Sequence, residues 1–232
     1  MPDGSFTPER AALHDRIVEQ ILGESSPVEN PASYMMGGGP ASGKSSITDT
    51  GKLGLPDNIA SIDSDAIKKL LPEFDDMLAR GDSRGASFVH DESSILAKRI
   101  LTTGIENGHN TFLDGTGDSS LEALKKKTDR MRKGGRRVIA NYVSLDTDTA
   151  QKINHARFEK TGRLVPEAFL RQTHANISEI FPQAMEAGLF DEVTLWDTNI
   201  KDEPFKMVEH KDGKTTILDQ VAYDRFLSKA NA

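Results

Sequence analysis

The sequence predicts an α/β fold, a mostly parallel sheet with helices on both faces, followed by a C-terminal β-hairpin and helix. Three observations carry this. Short apolar runs that suit buried strands alternate with segments of helical spacing between residues 33 and 196. A glycine-rich run separates the first of those strands from the helix after it. Near the end, Lys211-Asp212-Gly213-Lys214 lies between two β-forming stretches, a hairpin signal. Parallel strands need crossover connections, and the helices in those crossovers cover the sheet.

Taken in order, residues 8–22 place Ala12, Ile17, Ile21 and Leu22 at near-helical spacing, with Thr7 as the cap and Pro8 and Glu9 in the first turn. Residues 33–36 read as a strand that runs into Gly37-Gly38-Gly39, and helical spacing resumes after Lys44. A second strand over 59–62 ends at Asp63-Ser64-Asp65, and a helix over 66–71 stops at Pro72. A long helix over 87–106, a strand over 110–113, a helix over 119–132 and a strand over 137–144 continue the alternation. Helices over 146–160 and 166–187 follow, the second expected to break at Pro182, and 192–196 is the last core strand. Strands over 205–210 and 215–218 form the hairpin, and a helix covers 221–230. No repeat, low-complexity tract or long linker divides the 232 residues, so a single domain over 1–232 is expected.

The composition removes several function classes. With no cysteine there are no disulfides, thiolate metal sites or cysteine nucleophiles. No window approaches the roughly 18 apolar residues of a membrane span, and the N-terminus lacks a signal-peptide pattern, so a cytoplasmic protein is expected. A net charge of −7 disfavours nucleic acid as partner, since binding to a phosphate backbone depends on massed Lys and Arg. The dense basic clusters, Lys125-Lys126-Lys127 and Arg132-Lys133 with Arg136-Arg137, read as a solvated face of a helix and its exit.

Gly38-Gly39-Pro40-Ala41-Ser42-Gly43-Lys44-Ser45 matches G-x-x-x-x-G-K-[ST] in full, between a predicted strand and a predicted helix. Average residue frequencies produce such an octet by chance in about 1% of chains this long. The motif makes the predicted fold P-loop kinase-like. Its glycines let backbone N–H groups surround phosphates, so residues 38–46, from Gly38 to Ser46, are the expected nucleotide-binding loop. Lys44 would meet the β- and γ-phosphates of ATP, and the Ser45 hydroxyl would ligate Mg²⁺.

Phosphoryl transfer to a hydroxyl needs a base, and Asp63 and Asp65 stand at a strand's carboxyl end, where either could serve or could only cap the next helix. Asp114 ends another strand before Gly115-Thr116-Gly117, placing Asp114 and Thr116 as substrate contacts. Asp114 to Gly117 also fits the D-x-x-G of GTPases, but no N-K-x-D follows. His90-Asp91-Glu92 fits the H-x-E of zinc deaminases, but that chemistry needs a P-C-x-x-C. Glu92 is instead placed as a substrate contact or a solvated helix position. Arg157 and Arg163 flank a connection that could act as a lid and supply charge to the transition state.

In this order the loop from Met36 to Ser45, Ile62-Asp63-Ser64-Asp65, Asp114-Gly115-Thr116-Gly117, and Arg157 and Arg163 with Pro166 resemble the zeta toxin family, over residues 12 to about 200. The resemblance implies a kinase that phosphorylates the 3′-hydroxyl of UDP-N-acetylglucosamine, inhibits cell-wall synthesis and is held by a small antitoxin. It implies Asp65 as the base, Lys44 as the loop lysine, Arg157 and Arg163 as phosphate contacts, and Asp114 as a substrate acid. Asp114 stands where founding members carry Glu, and the two arginines lie closer together than in them. The alternatives are a kinase of another small nucleotide, nucleoside or cofactor, and a nucleotide-binding regulatory module without catalysis.

Overall fold

A computed structural model describes residues 6–81, 84–116, 119–161, 165–200 and 202–231. In chain order the elements are α1 (Pro8–Leu22), β1 (Ser33–Gly37), α2 (Lys44–Thr48), β2 (Ala60–Asp63), α3 (Ser64–Lys68), α4 (Pro72–Ala79), α5 (Gly85–Phe88), α6 (His90–Glu106) and β3 (Thr111–Asp114). There follow α7 (Leu121–Met131), β4 (Val138–Ser144), α8 (Thr147–Thr161), α9 (Glu167–Glu186), β5 (Glu192–Asp197), β6 (Phe205–Lys211), β7 (Lys214–Ile217) and α10 (Gln220–Ser228). They fall into two compact units, residues 1–31 with 56–113, and residues 32–55 with 114–232.

In the first unit α1 begins where the Thr7 hydroxyl accepts from the Arg10 amide, with Pro8 at the first helical position. His14, Ile17, Val18 and Leu22 form its buried stripe, and α6, carrying Leu96, Ile100 and Leu101, packs against α1, α3 and β2. The Ala60 amide donates to the Asn110 carbonyl at the start of the β2–β3 pairing. Pro72 opens α4 instead of only ending a helix, because its fixed φ and missing N–H suit a first turn. The long helix expected over 87–106 is divided at Val89 into α5 and α6.

In the second unit β1, β4 and β5 pair in parallel, and β6 and β7 add antiparallel at one edge as the expected hairpin. Along the rows, Met35, Ala140 and Val193 share one face with Gly37, Tyr142 and Leu195. Tyr142 meets Phe181 of α9 and Phe190 at ring-centroid distances of 5.2 and 5.8 Å, and Phe226 of α10 stands edge-on to Phe181 at 5.6 Å. The chain continues through Pro182 as one helix. An internal proline costs about 3 kcal/mol, and burial of Ile177, Phe181 and Ala184 along the same stripe offsets it at roughly 1.5–3 kcal/mol for each large side chain.

The basic cluster is less solvated than expected. Arg132 grips both oxygens of Asp191 at 2.8 Å, Arg137 pairs with Glu192, and Arg136 is buried, which lowers its pKa. Lys125, Lys126 and Lys133 are exposed and fit the solvated description, as in the Lys126–Glu122 pair.

Candidate active site

The loop between β1 and α2 is built against three supports of the second unit. Beneath Gly39 lies the His174 ring of α9, so close that a Cβ at Gly39 would stand 2.3 Å from Cδ2. His174 Nε2 is 3.0 Å from the Pro40 carbonyl. A carbonyl only accepts, so Nε2 carries the proton and donates. Burial pushes the pKa of this ring down to about 4, with Lys229 and Lys44 adding to the depression, so the ring is neutral near pH 7. On the other side Thr198, just past β5, has its hydroxyl 2.7 Å from the Ser42 carbonyl and 3.0 Å from that of Ser144. Thr198 also closes the space at Gly43, whose φ of 87° is open to glycine at little cost. The third support is apolar: Ala41 packs with Val165 on the buried cluster of Leu145, Ala150 and Leu170.

Within the loop Lys44 Nζ donates to the carbonyls of Gly38 and Gly39 at 2.9 and 3.0 Å. Ser45 and Ser46 are exposed on α2. The Ser42 hydroxyl oxygen is buried and has no hydrogen-bond partner among the described residues, a rare condition with a cost of its own. An ammonium turned onto the loop and an unsatisfied hydroxyl inside it fit a site that receives phosphate oxygens.

Asp114 closes β3 half-buried, and beside it Gly115 approaches the Met36 carbonyl, 4.0 Å from where its Cβ would be. Thr116 is exposed, and Gly117 lies outside the described residues. Arg157 is exposed on α8, and Arg163 lies outside the described residues. The root of that connection is firmly held: the buried Asn154 side chain donates to the Val165 carbonyl at 2.7 Å and accepts from its amide at 3.1 Å.

Asp63, Asp65 and Glu92 belong to the first unit. Asp63 caps α3 by accepting from the Asp65 amide at 2.8 Å, one of the two roles open to it in the sequence. Asp65 sits in the first turn of α3, partly exposed, and accepts from Lys68 Nζ at 2.8 Å. Glu92 is neither solvated nor open: its oxygens accept from Arg10 Nε and Nη2 at 2.5 and 2.7 Å, and His14 Nε2 lies 2.5 Å away. Arg10 also grips Glu73. The hydrogen bond from Arg10 is the main reason that both carboxylates titrate below their usual range.

Sequence reasoning missed His174, Thr198 and Asn154. His174 falls on the apolar stripe of α9, where it reads as core, and Thr198 and Asn154 belong to no motif. A fourth missed group is Lys229, whose Nζ donates to Ser144 Oγ and the Leu145 carbonyl at 2.6 Å each and whose burial pushes its pKa down to about 8.

A loop of this sequence and build, running from a parallel strand into a helix, defines an α/β protein of the P-loop class. The zeta toxin model matches residues 15–220, and the chain belongs to that family. Toxin zeta of Streptococcus pyogenes is 25% identical over 197 residues, which cover 80% of this chain and 66% of that protein. Toxin zeta of Enterococcus hirae matches with the same identity and coverage. The chain thus spans 66% of the length of these curated relatives. Among solved structures, one from the PezAT chromosomal toxin–antitoxin system of Streptococcus pneumoniae aligns with a TM-score of 0.73 at 14% identity, over 98% of this chain and 95% of that one. AvrRxo1-ORF1:-ORF2 with ATP aligns with a TM-score of 0.71 at 16% identity, over 97% and 74%. Both likenesses are of fold.

Proposed function

We propose that the chain is a Mg²⁺-dependent kinase that moves the γ-phosphoryl group of ATP to a sugar hydroxyl of a UDP-sugar, most specifically the 3′-hydroxyl of UDP-N-acetylglucosamine, and so inhibits cell-wall synthesis. The observation that carries the phosphoryl-transfer part is the supported loop, with Lys44 folded onto it and the Ser42 hydroxyl unsatisfied inside it. Family membership supports the choice of acceptor.

In this reading Lys44 neutralises charge on the β- and γ-phosphates, and Ser45 Oγ would hold Mg²⁺, which supplies further charge compensation when bound. Asp65 accepts the acceptor's hydroxyl proton, its carboxylate positioned by Lys68 Nζ at 2.8 Å. Arg157 and Arg163 meet the transferring group, and Asp63, Asp114 and Thr116 contact the acceptor. Glu92 would reach an acceptor only by exchanging a bond to Arg10 or His14. A small protein antitoxin is the proposed partner, in keeping with the toxin–antitoxin system that supplies one structural neighbour. No helix among the described residues is long and apolar enough to cross a membrane, and the proposed location is the cytoplasm.

The test is incubation with Mg²⁺ and γ-labelled ATP against UDP-N-acetylglucosamine, other UDP-sugars, nucleosides and nucleotide cofactors, with products identified by mass. Label on UDP-N-acetylglucosamine is the expected result. Label on another acceptor overturns the sugar assignment, and tight ATP binding with no labelled product overturns the kinase.

A further inference from the structure

The second unit has another cavity, on the sheet face opposite Tyr142 and Leu195. Its volume is about 400 Å³, within the range of sites for small organic molecules. The register explains its floor: Tyr34, Ile139 and Glu192 share one row, Asn141, Thr194 and Glu209 the next, and Trp196 with Lys206 the third. Central parallel strands are ordinarily apolar on both faces. Here β4 and β5 present an amide, a hydroxyl and a carboxylate on one of them, and Lys52 to Gly54, just beyond α2, form a wall.

Asn141 is the informative residue. It is 4% exposed, and Trp196 Nε1 is 2.9 Å from its Oδ1. An indole N–H only donates, so the amide oxygen must face Trp196 and the NH₂ must point the other way. That NH₂ lines the cavity and has no acceptor among the described residues. The NH₂ is thus left open to the cavity, and its complement is a ligand oxygen. The surrounding charge points the same way. Arg137 and Lys211 pair with Glu192, Lys206 pairs with Glu209 at 2.6 Å and Lys52 donates to the Pro204 carbonyl at 3.1 Å, so four cations meet two carboxylates around the cavity, in a protein whose net charge is −7. The Lys206 ammonium lies 5.5 Å from the centre of the Trp196 ring, so cation and aromatic surface are presented together. The volume far exceeds that of a lone inorganic anion, and Tyr34, Trp196, Leu53 and Ile139 offer carbon surface.

We propose that this cavity binds a small organic anion, whose oxygens accept from Asn141 Nδ2 and whose charge is met by Lys52 and Lys206. It is independent of the phosphate-binding loop and of the proposed kinase activity.

Trp196 is the only tryptophan in the chain, so its emission reports on the cavity directly. The full chain would be titrated with citrate and with ribose 5-phosphate, separating carboxylate from phosphate ligands, and with glucose as a neutral control. The expected result is a saturable change with at least one anion, half-complete below about 1 mM, and none with glucose. It persists in Lys44→Ala and under saturating ATP and Mg²⁺. It weakens by about tenfold or more in Asn141→Leu, the size expected for a lost hydrogen bond to a charged group, and in the surface variant Lys52→Gln/Lys206→Gln, whose urea midpoint is checked alongside. No saturable response to either anion overturns the proposal, as does an equal response to glucose, or a response unchanged in the Lys52/Lys206 variant. A response abolished by Lys44→Ala assigns the binding to the phosphate loop and also overturns it.

Discussion

Under the proposed kinase activity, Asp65 and His174 would serve phosphoryl transfer in two different ways. Asp65 is assigned direct chemistry, so Asp65→Asn is expected to cost on the order of 10² to 10⁴ in kcat, the range for losing a general base. A loss below tenfold in steady-state assays removes it from that role. His174 acts through the loop: its ring fills the space over Gly39 and its Nε2–H holds the Pro40 carbonyl. His174→Leu discards the donor and is expected to raise KM for ATP by about tenfold, the worth of one such bond. His174→Gln restores an N–H at comparable reach and should stay within about threefold of wild type. Equal KM in the two variants would show that only the ring's bulk counts.

Among the elements, periodicity made α1 legible to the residue and the main strands to within one or two residues, because a stripe of Ile17 and Leu22 or a run such as 33–36 has few alternative placements. The break at Val89 and the helix at Pro72–Ala79 were not legible, since the first has no Gly or Pro to mark it and proline opens a helix as readily as it ends one. The same division runs through the site. Lys44 and Ser45 belong to a contiguous motif, whereas Thr198 and Asn154 act on segments far away in sequence, at Ser42 and Val165. A single sequence carries no mark of such pairs. Asn154 in particular fastens α8 to the start of α9 by imitating a strand neighbour for Val165. Asn154→Ala should therefore lower unfolding free energy by about 1–3 kcal/mol, from two backbone groups left without partners. Urea denaturation checks this, and an unchanged midpoint would show that those bonds contribute nothing net.

For the whole molecule, the buried histidine gives stability a definite dependence on pH. The unfolded chain takes up a proton on His174 near the ordinary value of about 6.5, and the folded chain only near 4. Unfolding is then accompanied by proton uptake between these values, so the contribution is full above about pH 6.5 and declines as pH falls towards 4. Its size is at most about 3 kcal/mol. Glu73 and Glu92, held below the usual carboxylate range by Arg10, lose their contribution only at still lower pH. Urea titrations at pH 7 and 4.5 should show a smaller decline in His174→Gln than in wild type, and equal declines would remove the histidine as the cause. The C-terminal hairpin has a consequence of a different kind. At the edge of the second unit β7 is only Lys214 to Ile217 and exposed throughout, so its outer backbone groups form a template on which another copy could add strands. Its brevity and the lysines 211 and 214 beside the turn discourage that growth through charge repulsion. Lys211→Val/Lys214→Val would remove the guard and leave Thr215, Thr216 and Ile217 as a flat β-forming edge. Concentration-dependent oligomers on size-exclusion chromatography are the expected sign, so these two lysines would be keeping the protein from polymerising through its own sheet.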